Sequence, residues 1–259
     1  MSHFLYGANV QANGIRQHYL RYGGQGPVVI LIPGITSPAI TWGFVAERLA
    51  ERYDTYVLDV RGRGLSASGP DLAYDAETCA ADVNAFALAL NLENYALLGH
   101  SMGARLALRA AALQPVGVRR LVLVDPPVSV PGRREYPGKR PWYVDSIRQS
   151  LLGRDAEQMR AYCPTWSEQQ RQLRAEWLHT CYDPAIQRAY EDFHQVDSHR
   201  DYPALHMPTL LMVAGLGGVI QPEDEAEIRT LQPEITITHV ENAGHMIPWD
   251  DLDGFFRAL

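Results

Sequence analysis

The stretch Tyr95-Ala96-Leu97-Leu98-Gly99-His100-Ser101-Met102-Gly103-Ala104-Arg105-Leu106 reads as a strand, a sharp turn and a helix, with Gly-x-Ser-x-Gly at the turn. A serine held on such a turn projects outward only if small neighbours let strand and helix approach closely, which accounts for both glycines. Ser101 is therefore the candidate nucleophile. Free serine is a weak nucleophile, so a base must take its proton and later return it to the leaving group. Near the end of the chain, Val240-Glu241-Asn242-Ala243-Gly244-His245-Met246 places a histidine in the loop after the last apolar strand, from where it can reach back to Ser101. His245 is the candidate base. The other histidines lack comparable context; His100, beside the nucleophile, is either a packed residue or part of the pocket wall.

The elements that must position these residues follow from periodicity. Short apolar runs predict strands at Gln17–Tyr22, Val28–Ile32, Thr55–Val60, Tyr95–Gly99, Leu121–Asp125, Thr209–Val213 and Thr236–Val240. Several are apolar nearly throughout, as in strands buried on both faces of a parallel sheet. Helices are expected at Trp42–Arg52, Asp75–Leu90, Met102–Gln114, Glu223–Leu231 and Pro248–Leu259, with Asp75 as an N-cap. The alternation indicates an α/β fold, a mostly parallel sheet flanked by helices. It breaks once, between Asp125 and Thr209, and a structureless loop of that length would be implausible. Residues 1–125 and 209–259 are thus expected to form the core, and 126–208 an inserted, mostly helical cap.

Composition sets the bounds. The 259 residues, 46% hydrophobic, are enough to bury a core without disulfides or metal. The three cysteines, Cys79, Cys163 and Cys181, lack metal-ligand spacing and read as reduced thiols. A net charge of -7 without a long basic block argues against nucleic acid. The start, Met1-Ser2-His3-Phe4-Leu5-Tyr6, lacks signal-peptide character, and no apolar run is long enough to span a membrane. The expectation is a cytoplasmic protein, a monomer or small homo-oligomer, without nucleic-acid or membrane partners.

From about residue 15 to its end the chain resembles an α/β-hydrolase. The resemblance rests on the serine turn, on His245, on Ile32-Pro33-Gly34-Ile35-Thr36 where the family usually has His-Gly-x, and on Asp59-Val60-Arg61-Gly62-Arg63-Gly64-Leu65-Ser66, similar to its Asp-x-Arg-Gly-x-Gly-x-Ser turn. It implies an oxyanion hole made by the backbone N–H groups of Met102 and Ile35. Pro33 replaces the usual histidine, whose side chain does not supply the oxyanion N–H. Asp59 and Arg61 are expected to shape the loop. The triad acid departs from the common pattern: three residues beyond Gly215, where the family usually places it, stands Gly218. Two candidates remain. Asp125 lies at the tip of the preceding strand, where some members carry their acid. Asp224 lies beyond Pro222 at an expected helix start, where the helix dipole already accounts for an acidic residue. Asp125 is the preferred assignment.

A serine nucleophile implies an acyl-serine intermediate, with no cofactor or metal; the bond cleaved could be an ester, an amide, a thioester or a carbon–carbon bond. Over its whole length, and above all in the shifted acid, the chain resembles the deformylases of aerobic bacterial nicotinate degradation. That resemblance implies cleavage of a formyl amide in a small-molecule carboxylate substrate. The substrate's carboxylate then needs a positive or hydroxyl anchor. The cap cluster Arg133, Arg134, Lys139 and Arg140, near Tyr136, Trp142 and Tyr143, is the first place to look, beside the alternative of a solvated basic loop.

Overall fold

The computed structural model describes residues 2–114 and 116–259. Its sheet has eight strands: β1 (Phe4–Ala12), β2 (Ile15–Tyr22), β3 (Val28–Ile32), β4 (Asp54–Leu58), β5 (Tyr95–His100), β6 (Val118–Val124), β7 (Thr209–Ala214) and β8 (Thr236–Val240), in the spatial order β1-β2-β4-β3-β5-β6-β7-β8. The strand β2 runs antiparallel to both neighbours, and the rest of the sheet is parallel. Helices α1 (Gly43–Leu49), α2 (Ala76–Ala89) and α3 (Met102–Leu113) precede β6, and α4 (Arg140–Leu151), α5 (Glu168–Trp177) and α6 (Asp183–Gln195) separate it from β7. The chain ends with α7 (Pro222–Leu231), α8 (Ile247–Asp250) and α9 (Leu252–Ala258).

The apolar strands supply two cores because side chains alternate across the sheet. Ile30 and Ile32 of β3 pack with Val83 and Phe86 of α2 and Leu106 of α3. Val29 and Leu31 face the other way, toward Val45 and Leu49 of α1 and Phe255 of α9. Register then brings the carboxyl ends together: Ile32 lies beside Gly99, His100 beside Val124, Val124 beside Met212, and Ala214 beside Val240. Loops leaving these ends converge on one edge of the sheet, the usual place for a ligand crevice in an open α/β fold.

All seven expected strands are present, and Asp75 caps α2 by accepting the Thr78 N–H at 2.9 Å. Two elements differ from expectation. The sequence reading omitted β1, an edge strand whose large apolar residues Phe4, Leu5 and Tyr6 are exposed and whose inward-facing positions are the small or partly buried Ala8, Val10 and Ala12, a weak apolar alternation. Its signal is the dipeptide Asn13-Gly14, both at positive φ (48° and 73°), which turns β1 into β2 as a hairpin. The expected helix Pro248–Leu259 breaks at Asp251, whose extended backbone ends α8 and whose carboxylate caps α9 through the Gly254 N–H at 2.7 Å.

Candidate active site

Ser101 sits between β5 and α3 at φ 55° and ψ -118°, a conformation costly for a residue with a side chain. The surroundings enforce it. A Cβ on Gly99 would collide with the Gly103 backbone, and one on Gly103 with the carbonyls of Ile32 and Pro33. The Ser101 N–H is tied to the Val124 carbonyl at 2.9 Å.

His245 Nε2 lies 3.0 Å from Ser101 Oγ, and its Nδ1 lies 2.6 Å from Asp125 Oδ2. A carboxylate can only accept, so Nδ1 carries the proton and Nε2 presents its lone pair to the serine hydroxyl. Asp125 is completely buried at the end of β6, at φ 44°, a left-handed conformation that Asp tolerates better than most residues. Its Oδ2 also accepts the Val219 N–H at 3.0 Å. Gly218 makes room for this carboxylate: a Cβ there would stand 2.6 Å from Oδ1, closer still to Oδ2, and 2.8 Å from the Ala214 Cβ. The other acidic candidate, Asp224, is engaged elsewhere, accepting the Gln221 N–H at 2.8 Å at the start of α7 and pairing with Arg134 at 2.5 Å.

Beside the serine, Met102 is the first residue of α3, so its N–H has no intrahelical acceptor. Among the described residues the Ile35 N–H also has no backbone or side-chain acceptor. A residue that sequence reasoning passed over holds both. Arg63 is fully buried; its Nε donates to the Ile35 carbonyl at 3.0 Å, its Nη2 reaches the Met102 sulfur and the Ala185 carbonyl at 3.3 Å each, and among the described residues no carboxylate pairs with it. It occupies a variable position of the loop motif, which is why no pattern singled it out. Asp59 accepts from His18, the Ala39 N–H and the Leu65 N–H, and Arg61 pairs with Asp82, so both hold the loop rather than face the serine.

His100 lines the pocket wall and is buried, which pushes its pKa down to about 3. It is neutral at ordinary pH, and its Nε2–H donates to the His245 carbonyl at 2.9 Å. Its ring lies 5.1 Å from that of His245, centroid to centroid. A neutral neighbour would spare a protonated His245 like-charge repulsion.

Ser101 and His245 open into a cavity of about 540 Å³ walled by Tyr136, Trp142, Tyr143, Trp166, Val219 and Met246. The basic cluster behaves differently from expectation. Arg133 pairs with Glu227 and Arg134 with Asp224, since α7 presents its acidic residues to them, and exposed Arg140 starts α4. Only Lys139 borders the cavity, with a largely exposed side chain. The buried cation in the wall is Arg174 of α5, which the sequence reading did not single out. It lies among many helical arginines, and only the fold shows which of them turns inward.

The nucleophile turn, the histidine after the last strand and the carboxylate behind it, at the carboxyl edge of this sheet, define a serine hydrolase of α/β architecture. The chain belongs to the alpha/beta hydrolase fold family, which matches residues 27–252. It is 69% identical to N-formylmaleamate deformylase of Pseudomonas putida KT2440, over all of this chain and 97% of that protein. The crystal structure of an N-formylmaleamic acid deformylase from Pseudomonas putida S16 superposes with a TM-score of 0.94 at 55% identity, covering 98% of this chain and 99% of that one. A shorter match, 37% identity over 41% of this chain and 38% of the relative, links it to 2-(acetamidomethylene)succinate hydrolase of Mesorhizobium japonicum. Among the described residues no helix is long and apolar enough to cross a membrane.

Proposed function

We propose that this protein hydrolyses the formyl amide bond of N-formylmaleamate, giving maleamate and formate, with Ser101, His245 and Asp125 as its triad. The observation that carries the chemistry is the continuous array from Ser101 Oγ through both nitrogens of His245 to Asp125, at 3.0 and 2.6 Å. The likeness to the deformylase over the full chain carries the substrate.

In the first half-reaction Ser101 Oγ bonds to the formyl carbon while its proton passes to His245 Nε2. The carbonyl electrons move onto oxygen, which the N–H groups of Ile35 and Met102 receive. Donors aimed at a charge that develops only in the transition state are worth about 2.7–4 kcal/mol each. When the tetrahedral adduct collapses, the carbon–nitrogen bond breaks and His245 gives its proton to the departing nitrogen, which becomes the amide of maleamate. A formyl ester remains on Ser101. Water then attacks it, its proton passing to His245 and on to Ser101 Oγ as formate leaves. Asp125 orients the imidazole and stabilises it while protonated.

Residues 126–208 act as a cap in this reading, because α4 and the segments carrying Tyr136, Tyr162 and Trp166 contribute the aromatic wall over the serine, and α5 contributes Arg174. A cytoplasmic setting is supported by the three buried, unpaired thiols. The test is formate release from N-formylmaleamate, with trapping of a formyl adduct on Ser101 by mass spectrometry and loss of turnover in Ser101→Ala. Rapid hydrolysis of simple esters with no formate from N-formylmaleamate would overturn the substrate assignment.

A further inference from the structure

Among the described residues five arginines are buried, and four of them hold carboxylate or carbonyl partners at 3.3 Å or closer. Arg61 pairs with Asp82. Arg63 donates to three carbonyls, and Arg105 to those of Pro127, Asp192 and Val196. Arg171, one turn before Arg174 on α5, binds the carbonyls of Ala156 and Trp166. Arg174 is the exception. Its residue is 4% exposed, yet its Nε has no partner, and its Nη1 and Nη2 reach only the Thr36 carbonyl and hydroxyl, each at a long 3.4 Å. Among the described residues no carboxylate lies within salt-bridge distance of it. A buried guanidinium with unused donors is expensive unless something anionic completes it.

The surroundings hold this charge in place. The Arg174 guanidinium carbon lies 5.3 Å from the Trp142 ring and 5.7 Å from the Trp166 ring, whose faces favour a cation. All three residues line the same cavity as Ser101 and His245. Thr36, the guanidinium's weak partner, follows Ile35, the proposed oxyanion donor, so this charge and that N–H share one loop.

We propose that Arg174 is the carboxylate seat of the cavity, and that the enzyme selects short N-acyl amides whose far end is a carboxylate. A planar fork with free donors matches a carboxylate with paired, charge-assisted hydrogen bonds. The inference deepens the deformylase reading and rests on it for the identity of the reacting end. With the carboxylate seated on Arg174, the formyl group at the opposite end of the substrate is the carbonyl presented to Ser101, and the inner carbonyl is held short of it. Lys139, exposed at the rim, contributes attraction without fixing geometry.

The experiment compares wild type, Arg174→Gln, Arg174→Lys and Lys139→Gln on N-formylmaleamate and on N-formylisocrotonamide, the cis analogue in which a methyl group replaces the carboxylate. The measured quantity is the acid-to-neutral ratio of kcat/KM, read by formate release. Arg174→Gln is expected to lower that ratio by about 10²-fold or more, the usual effect of truncating one partner of a buried charge pair. Arg174→Lys should restore only part, because an ammonium lacks the fork. A ratio unchanged in Arg174→Gln, or a collapse in Lys139→Gln instead, overturns the assignment. If neither substrate releases formate, the deformylase reading fails and the seat is tested separately, through competitive inhibition of p-nitrophenyl acetate hydrolysis by maleamate. A similar rise of about 10²-fold in the inhibition constant of Arg174→Gln supports the seat, and an unchanged constant rejects it.

Discussion

Replacing Gly218 by alanine adds one methyl group, yet it should disable the enzyme while leaving the fold standing. The new Cβ would lie 2.6 Å or less from both Asp125 oxygens, nearly 1 Å inside the 3.4 Å at which ordinary contact begins. Ala214 blocks retreat of the methyl group at 2.8 Å. The carboxylate must therefore give way, and a shift of that size stretches its 2.6 Å bond to His245 beyond hydrogen-bond range. A 1 Å misplacement costs about 10²-fold, and complete loss of the orienting acid about 10⁴-fold. Gly218→Ala should thus lower kcat by about 10² to 10⁴, or about 3 to 5.5 kcal/mol of transition-state stabilisation, with a native circular dichroism spectrum. Single-turnover formate release with N-formylmaleamate reads the effect. A folded variant with near-normal kcat would refute both the steric argument and the role of Asp125.

The same geometry makes a stronger demand. The Cβ missing from Gly218 lies from the Asp125 oxygens at close to the spacing, about 2.4 Å, that separates Cβ from Oδ within an aspartate. An aspartate at 218 would then set its own carboxylate nearly where that of Asp125 now lies. Asp125→Ala should lose about 10⁴-fold in kcat, and adding Gly218→Asp should regain a substantial part, although Gly218→Asp alone crowds two carboxylates and inactivates. The singles and the double must therefore be strongly non-additive. Additive losses would show that the two positions do not share one carboxylate site.

Arg63→Met should lower kcat by about 10²-fold with little change in KM, the effect of losing one oxyanion donor, because the Ile35 carbonyl loses its anchor; a folded variant with unchanged kcat would make Arg63 mere scaffold. His100 introduces an acid sensitivity with a defined sign. Its folded pKa of about 3 lies below the ordinary 6.5, so between those values the unfolded chain binds a proton that the folded one refuses, and stability falls as pH drops, by about 1.4 kcal/mol per unit from this group. Urea titrations at pH 7, 5.5 and 4.5 should show a shallower acid loss in His100→Gln than in wild type, and an equal slope would contradict the assignment.

How much of this was legible in the sequence depends on the range over which each residue acts. Ser101 and the strands around it announce themselves locally, because the glycines flanking the proposed nucleophile and the apolar runs of β3, β5 and β6 are demanded by contacts close in the chain. His245 and Asp125 are legible one step less directly: each sits at the end of a strand, and a parallel sheet brings strand ends together whatever their separation in sequence. The edge strand β1 was missed because its large apolar residues are exposed and its alternation rests only on Ala8, Val10 and Ala12, although Asn13-Gly14 marked its turn. Arg63 and Arg174 were missed for a different reason. A buried arginine is defined by what it lacks, a partner or a path to water, and no local pattern encodes that.

The basic cluster shows the same limit from the other side. Arg133 and Arg134 stand out in the linear chain because four cations fall within eight residues, yet the fold gives them Glu227 and Asp224 of α7, remote in sequence. Such pairing is the ordinary fate of clustered surface charge in a chain with more acidic than basic residues. Arg174 stands among acidic and amide residues on α5 that offer it partners in sequence, and the inward turn of the helix removes it from all of them. Charge available for a ligand is therefore not where charge is densest in the sequence but where burial strands it, and in this protein that place is the wall facing Ser101.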